Sequence, residues 1–140
     1  MSVAIEWSHA LTDEVRRIRR AVFMEEQGIS EADEFDGTDG GCVHWLLRDG
    51  GRAVATLRTK RQGDVVKIGR VATLRHARGR GHAGELMGRA MDEARTAGAV
   101  RAFLSAQVPV IGWYERFGFA AEGAPYDDAG IPHRDMWAAL

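Results

Sequence analysis

From Ala83 to Ala97 apolar residues recur every third or fourth position: Ala83, Leu86, Met87, Ala90, Met91, Ala94 and Ala97 share one side, and Glu85, Arg89, Asp92, Glu93 and Arg95 take the other. That spacing predicts an amphipathic helix, which Gly98 ends as a residue free to turn left-handed. Its stripe is mainly alanine, so it can lie close against a sheet. Before it, Val65 to Leu74 reads as a strand, with Gly69 marking a bulge or a close backbone approach. The segment between the two, Arg75 to Gly84, is a basic, glycine-rich turn.

Elsewhere the apolar period falls to two. Val3, Ile5 and Trp7 predict a short first strand, and Cys42 to Arg48 and Arg52 to Arg61 two more, joined by the hairpin signal Asp49-Gly50-Gly51. A second hairpin, at Gln62-Gly63-Asp64, leads into the Val65 strand. Val100 to Ala106, Phe119 to Gly123 and Ile131 to Ala138 complete the set, with Ala124 to Gly130 read as a connecting loop. Thr12 caps a helix whose Val15, Ile18 and Val22 line one side, with Asp13 and Glu14 in its first turn. Pro109 opens a last helix with Val110, Trp113, Tyr114 and Phe117 on its apolar side, closed by Gly118. Residues 28–41 lack any period and read as an acidic loop. Three antiparallel strands followed by strand, helix, strand predict one α/β domain over residues 1–140, its mixed, mostly antiparallel sheet carrying helices on both faces.

Composition narrows the setting. The chain has 140 residues, 45% of them hydrophobic, enough for a single core. A net charge of −1 argues against a nucleic-acid partner, and the absence of a long apolar run or leader argues against a membrane. Cys42 is the one cysteine; it allows no internal disulfide and suits a reducing cytoplasm.

The candidate chemistry lies in the turn. Glycines let backbone N–H groups approach a ligand, and the following helix starts with unpaired donors and partial positive charge, a site for phosphate or pyrophosphate. Gly79-Arg80-Gly81-His82-Ala83-Gly84 matches the dinucleotide fingerprint literally. That fingerprint needs an acidic residue about 20 positions on, yet no carboxylate occurs between Glu93 and Glu115, and Arg75 to Arg78 intervene before the first glycine. A nicotinamide dinucleotide is thereby disfavoured.

One frame earlier, Arg78-Gly79-Arg80-Gly81-His82-Ala83 resembles Q/R-x-x-G-x-G/A, the acyl-CoA pyrophosphate motif of the GNAT superfamily of N-acetyltransferases. Trp113 to Phe119 is similar to that family's "FYE+xGF" segment, and the order of elements matches over nearly the whole chain. Glu26-Gln27-Gly28 and Gly130-Ile131-Pro132-His133 resemble its ElaA-like branch. The resemblance implies the GNAT fold, and acetyl-CoA as cosubstrate without a metal. It implies a cofactor site formed by Val71, Ala72 and Thr73, by Arg78, Gly79, Arg80, Gly81, His82, Ala83 and Gly84, and by Gln107. The N–H of Val71 would polarise the thioester carbonyl, and Tyr114 would be the general acid that meets the departing thiolate.

A base must deprotonate the amine, and Glu26, His44 and His133 are the candidates, among which the sequence does not choose. His44 is by default a strand histidine, and Glu26 by default a surface charge. The acidic residues Glu31 to Asp39 suggest a cationic amine, as a small molecule or within a peptide; a solvated loop is the equal alternative. A homodimer is left open. Transfer of acetyl to a primary amine by direct attack is the leading function, against an acyl-CoA-binding module without transfer and, more distantly, a nicotinamide oxidoreductase.

Overall fold

The computed structural model describes residues 2–140. Seven strands form one sheet: β1 (Val3–Ser8), β2 (Val43–Asp49), β3 (Arg52–Gln62), β4 (Val65–Thr73), β5 (Arg101–Gln107), β6 (Ala120–Asp128) and β7 (Ile131–Ala139). They lie in the order β1-β2-β3-β4-β5-β7-β6. The β4–β5 pair is parallel and every other neighbouring pair antiparallel. A parallel pair needs a long crossover, which α3 (His82–Thr96) supplies.

The two faces are covered as the patterning predicts. α1 (Asp13–Arg19) is capped by Thr12, whose Oγ1 accepts from the Val15 N–H at 3.3 Å. It presses Val15 and Ile18 onto Leu46, Ala53 and Ala72. On the opposite face Leu86, Met87, Ala90 and Met91 of α3 meet Leu47, Leu57, Val66, Ile68, Ala102 and Leu104. Ala97 falls just beyond α3 and is exposed, and Gly98 adopts φ 100°. A 3₁₀ turn (Val108–Val110) feeds α4 (Ile111–Glu115). No helix among the described residues is long and apolar enough to cross a membrane.

Three segments depart from the sequence reading. The first helix does not simply end after Val22 but widens into a π-helix over Arg20–Glu26, where the Gln27 N–H bonds Val22 O, five residues back, at 3.2 Å. The wider turn puts Phe23 in the core beside Val22. Residues 124–128, expected as loop, continue β6, and a two-residue turn of Ala129 and Gly130 at φ 53° and 79° joins it to β7. Pro125 sits on the outermost strand at a register break between Glu122 and Tyr126, where a missing N–H removes no ladder bond.

The third departure is the acidic loop. Ser30 caps a short helix, α2 (Glu31–Glu34), its Oγ accepting from the Asp33 N–H at 3.1 Å. The carboxylates are not a free ring, as the sequence suggested, because arginines from four other elements pair with four of the five, all but Asp33. Arg19, 1% exposed, holds Glu34 and Asp39 at 2.7 Å each. Arg58 reaches Asp39 at 2.8 Å, Arg70 reaches Glu34 at 3.1 Å, and Arg20 pairs with Glu31.

Burial pushes the Asp39 carboxyl up, but hydrogen bonds from Arg19 and Arg58 outweigh it and hold its pKa at about 2. A depressed carboxyl contributes stability that is full above its unfolded pKa and is lost as pH falls through the folded one, here about 2 kcal/mol between roughly pH 5 and 2. Urea unfolding of Asp39→Asn across this window is therefore expected to show a decline shallower by that amount, from a lower starting stability at pH 7.

Candidate active site

β4 and β5 pair only from Val65 with Arg101 to Ile68 with Leu104. Beyond that point β4 bulges: between the pairs Arg58–Gly69 and Thr56–Ala72, Leu57 of β3 faces both Arg70 and Val71. The expected irregularity thus falls just after Gly69. Arg70 sits at φ 52°, a left-handed conformation that a residue with a Cβ rarely adopts. Its guanidinium is tied to Glu34, by the ion pair and by Nη2 donating to the Glu34 carbonyl at 3.0 Å. The parted strands leave a cleft of about 980 Å³, lined by Val71, Ala72 and Thr73 on one side and Ser105 and Gln107 on the other.

The glycine turn closes one end of this cleft. After Thr73 a 3₁₀ turn (Arg75–Ala77) precedes Gly79 and Gly81 at φ 79° and 78°. A Cβ at either glycine would meet nothing within 4 Å, so backbone conformation is what selects glycine. The first α3 bond runs from the Glu85 N–H to Gly81 O at 3.0 Å, which leaves the N–H groups of His82, Ala83 and Gly84 without intrahelical acceptors. Arg78 lines the cleft, its Nε donating to Thr73 O at 3.0 Å and its Nη2 to Glu26 at 2.8 Å. These free N–H groups and a guanidinium are the donor set a pyrophosphate requires.

Other candidates are arranged differently from what their sequence positions suggested. The Arg80 side chain is not part of the cleft lining: Arg80 and His82 both turn to Asp49, at 3.3 and 3.2 Å. Asp49, read from sequence only as a turn residue, anchors the glycine turn to the β2–β3 hairpin. Glu26 also lies outside the lining, its two oxygens held by Arg75 at 3.3 Å and Arg78 at 2.8 Å. His44 is 2% exposed beneath the arginine network, 4.0 Å from Asp39; burial lowers its pKa, and the cleft does not reach it. Cys42 is buried, its thiol donating to Thr38 O.

Two candidates do face the cleft. His133 lines it, and its Nδ1 lies 2.7 Å from Ile131 O. A carbonyl can only accept, so Nδ1 carries hydrogen and the neutral ring keeps its lone pair on Nε2. Tyr114 is 8% exposed and lines the cleft from α4, packed edge-on to Trp113 at 5.0 Å and Phe119 at 6.3 Å. Burial pushes its pKa up to about 12, and among the described residues its hydroxyl has no hydrogen-bond partner. At the mouth, Gln107 Nε2 donates to Gln27 Oε1 at 2.8 Å, bridging the end of β5 to the end of the π-helix.

The site thus combines a split between parallel strands, a glycine turn at one end and, on α4, a tyrosine hydroxyl without a partner among the described residues. Residues 9–119 match the model of the acetyltransferase (GNAT) family. The chain belongs to the GNAT family. Its sheet and flanking helices are the GNAT acyltransferase fold, and acyl transfer is the chemistry that membership assigns. YyaT of Bacillus subtilis is 32% identical over 124 residues, 86% of this chain and 83% of that protein. An acyl-CoA N-acyltransferase from Pseudomonas aeruginosa is 33% identical with a TM-score of 0.84, covering 99% of this chain and all of its own. ElaA of Escherichia coli is 29% identical with a TM-score of 0.79, over 96% of this chain and 99% of its own. The ElaA-like branch suggested by Glu26-Gln27-Gly28 and Gly130 to His133 is thus among the GNAT relatives of known structure.

Proposed function

We propose that this GNAT protein moves an acetyl group from acetyl-CoA to a primary amine, the amine attacking directly while both substrates are bound. The observation that carries the reading is the Tyr114 hydroxyl, which opens on the cleft with no hydrogen-bond partner among the described residues. A buried phenol in a purely structural role satisfies its hydroxyl; one beside a departing sulfur is kept free to donate.

Acetyl-CoA supplies an activated acyl group. The N–H groups of His82, Ala83 and Gly84, with Arg78, bind its pyrophosphate, and the backbone of Val71, Ala72 and Thr73, with Gln107, orients the arm. The Val71 N–H stabilises charge growing on the carbonyl oxygen. The amine must be neutral to attack, and Nε2 of His133 takes its proton, directly or through water. As the C–N bond forms and the C–S bond breaks, Tyr114 donates a hydrogen bond to the departing sulfur, and the proton the nitrogen sheds in becoming an amide ends on that sulfur as the thiol. With a pKa of about 12 the phenol stays protonated at neutral pH, whereas a free thiol titrates near ~8.5. Glu26, with both oxygens on arginines, serves this reading as an anchor for Arg78, not as the base.

The test is a thermal melt followed by an acceptor screen. CoA and acetyl-CoA should raise Tm, through about 2.7 kcal/mol of binding linkage at roughly a hundred times Kd, whereas NAD and NADP should do nothing. Amines incubated with acetyl-CoA should release free thiol. Stabilisation by a dinucleotide but not by CoA would sink the reading.

A further inference from the structure

Four side chains form a row across the sheet beside the cleft. Lys60 of β3 pairs in register with Lys67 of β4, Lys67 with Phe103 of β5, and Phe103 with Trp137 of β7. Cross-strand partners share a face, so two ammonium groups and two aromatic rings stand side by side. Lys60 and Lys67 line the cleft, and Lys67 also borders an adjoining depression of about 280 Å³ floored by Phe103 and Trp137. The row is therefore continuous with the proposed acyl-transfer site.

Its charges are unmatched. Like charges directly opposite each other weaken a strand pair, yet among the described residues neither lysine has a carboxylate partner. Lys60 Nζ reaches only the Gly40 carbonyl, at 3.3 Å, and Lys67 Nζ lies 5.6 Å from the Phe103 ring. Of the carboxylates lining the cleft, Glu34 and Asp36 are held by Arg70, at 3.1 and 3.6 Å, while Asp33 and Asp128 pair with neither lysine nor any other cation among the described residues. The rings lie 4.8 Å apart at 60° and are only partly covered, with the Arg101 guanidinium 4.7 Å over Trp137. An unopposed cationic pair continuing into an aromatic shelf suits a ligand that is anionic at one end and apolar beside it.

We propose that the row binds the far end of the acceptor: the substrate is an elongated primary amine that ends in a carboxylate next to an aromatic or bulky apolar group, as a short peptide does. This rests on the amine-acetylation reading above and names its substrate class. Length follows from the register. Along the unbroken β7 ladder Trp137 lies four positions beyond His133, about 13 Å of strand, so a free α-amino acid, with its amine and carboxylate on one carbon, is too short to span both ends. The choice differs from the cationic amine that the acidic loop suggests in sequence, because four of that loop's five carboxylates, all but Asp33, are paired with Arg19, Arg20, Arg58 and Arg70.

The experiment uses glycyl-glycyl-phenylalanine and its C-terminal amide, titrated calorimetrically into the full chain with coenzyme A present. The acid is expected to bind at least about tenfold more tightly than the amide, the scale of one charge-assisted contact. Lys67→Met and Lys60→Met should each bring the acid toward the amide's Kd. Both lysines are outside the core and lack ion pairs, and thermal melts of the variants should match wild type. Equal binding of acid and amide, including no binding of either, overturns the proposal, as does a preference that survives in both lysine variants. Acetyl-CoA added in place of coenzyme A separates the two readings: selective binding of the acid without thiol release keeps the anchor and removes the transferase activity.

Discussion

Tyr114→Phe should lower kcat and kcat/KM together by about 10²- to 10⁴-fold while acetyl-CoA affinity holds, the pattern of a group acting in the transition state. Phenylalanine keeps the ring and its edge contacts with Trp113 and Phe119. It removes a hydroxyl that has no hydrogen-bond partner among the described residues, so urea midpoints of variant and wild type should agree. A structural tyrosine gives the reverse, with stability reduced by the loss of a hydrogen bond and turnover nearly intact. Measuring both quantities on one variant separates these roles, and wild-type turnover would end the case for Tyr114.

Arg19→Met should destabilise the fold by about 3–5 kcal/mol, the range for removing one partner of a buried ion pair. Arg19 is 1% exposed and donates to Glu34 Oε2 at 2.7 Å, to the Glu34 carbonyl at 3.0 Å and to Asp39 at 2.7 Å. Methionine fills much of the volume but withdraws three bonds from acceptors that water cannot reach easily. Against a typical total of about 5–15 kcal/mol, such a loss is visible in any equilibrium unfolding curve. Glu34→Gln added to Arg19→Met should restore part of the loss, because the buried carboxylate then carries no charge. A single-variant change below about 1 kcal/mol would mean that Arg58 and Arg70 alone suffice to neutralise the loop.

Much of this was legible in the sequence because it is local. The α3 stripe, the hairpin at Asp49 to Gly51 and the glycine turn each declare themselves within a dozen residues, and the resemblance around Arg78 to Ala83 and Trp113 to Phe119 carried the family. What the sequence hid depends on partners far along the chain. Glu34 and Asp39 looked like free acids until Arg19, Arg58 and Arg70 came to them from α1, β3 and β4. Pro125 looked like a loop residue because its tolerance depends on which strand ends up outermost. The Lys60–Trp137 row exists only once four strands are set in register. His44 and His133 are equivalent on paper; folding buries the first and opens the second to the cleft.

Arg70 links two parts of the molecule that could have been independent. Its left-handed backbone is held by bonds to Glu34 of α2, and the next residue along is Val71, whose N–H faces the developing oxyanion in the proposed reaction. Any change that remodels α2 would release the clamp and let the bulge relax, so it would register in turnover even though Val71 lies on a different element. Lineages that remodel α2 should therefore replace the residues at 34 and 70 as a pair, with glycine at 70 as the simplest escape, since it accepts that φ without a clamp.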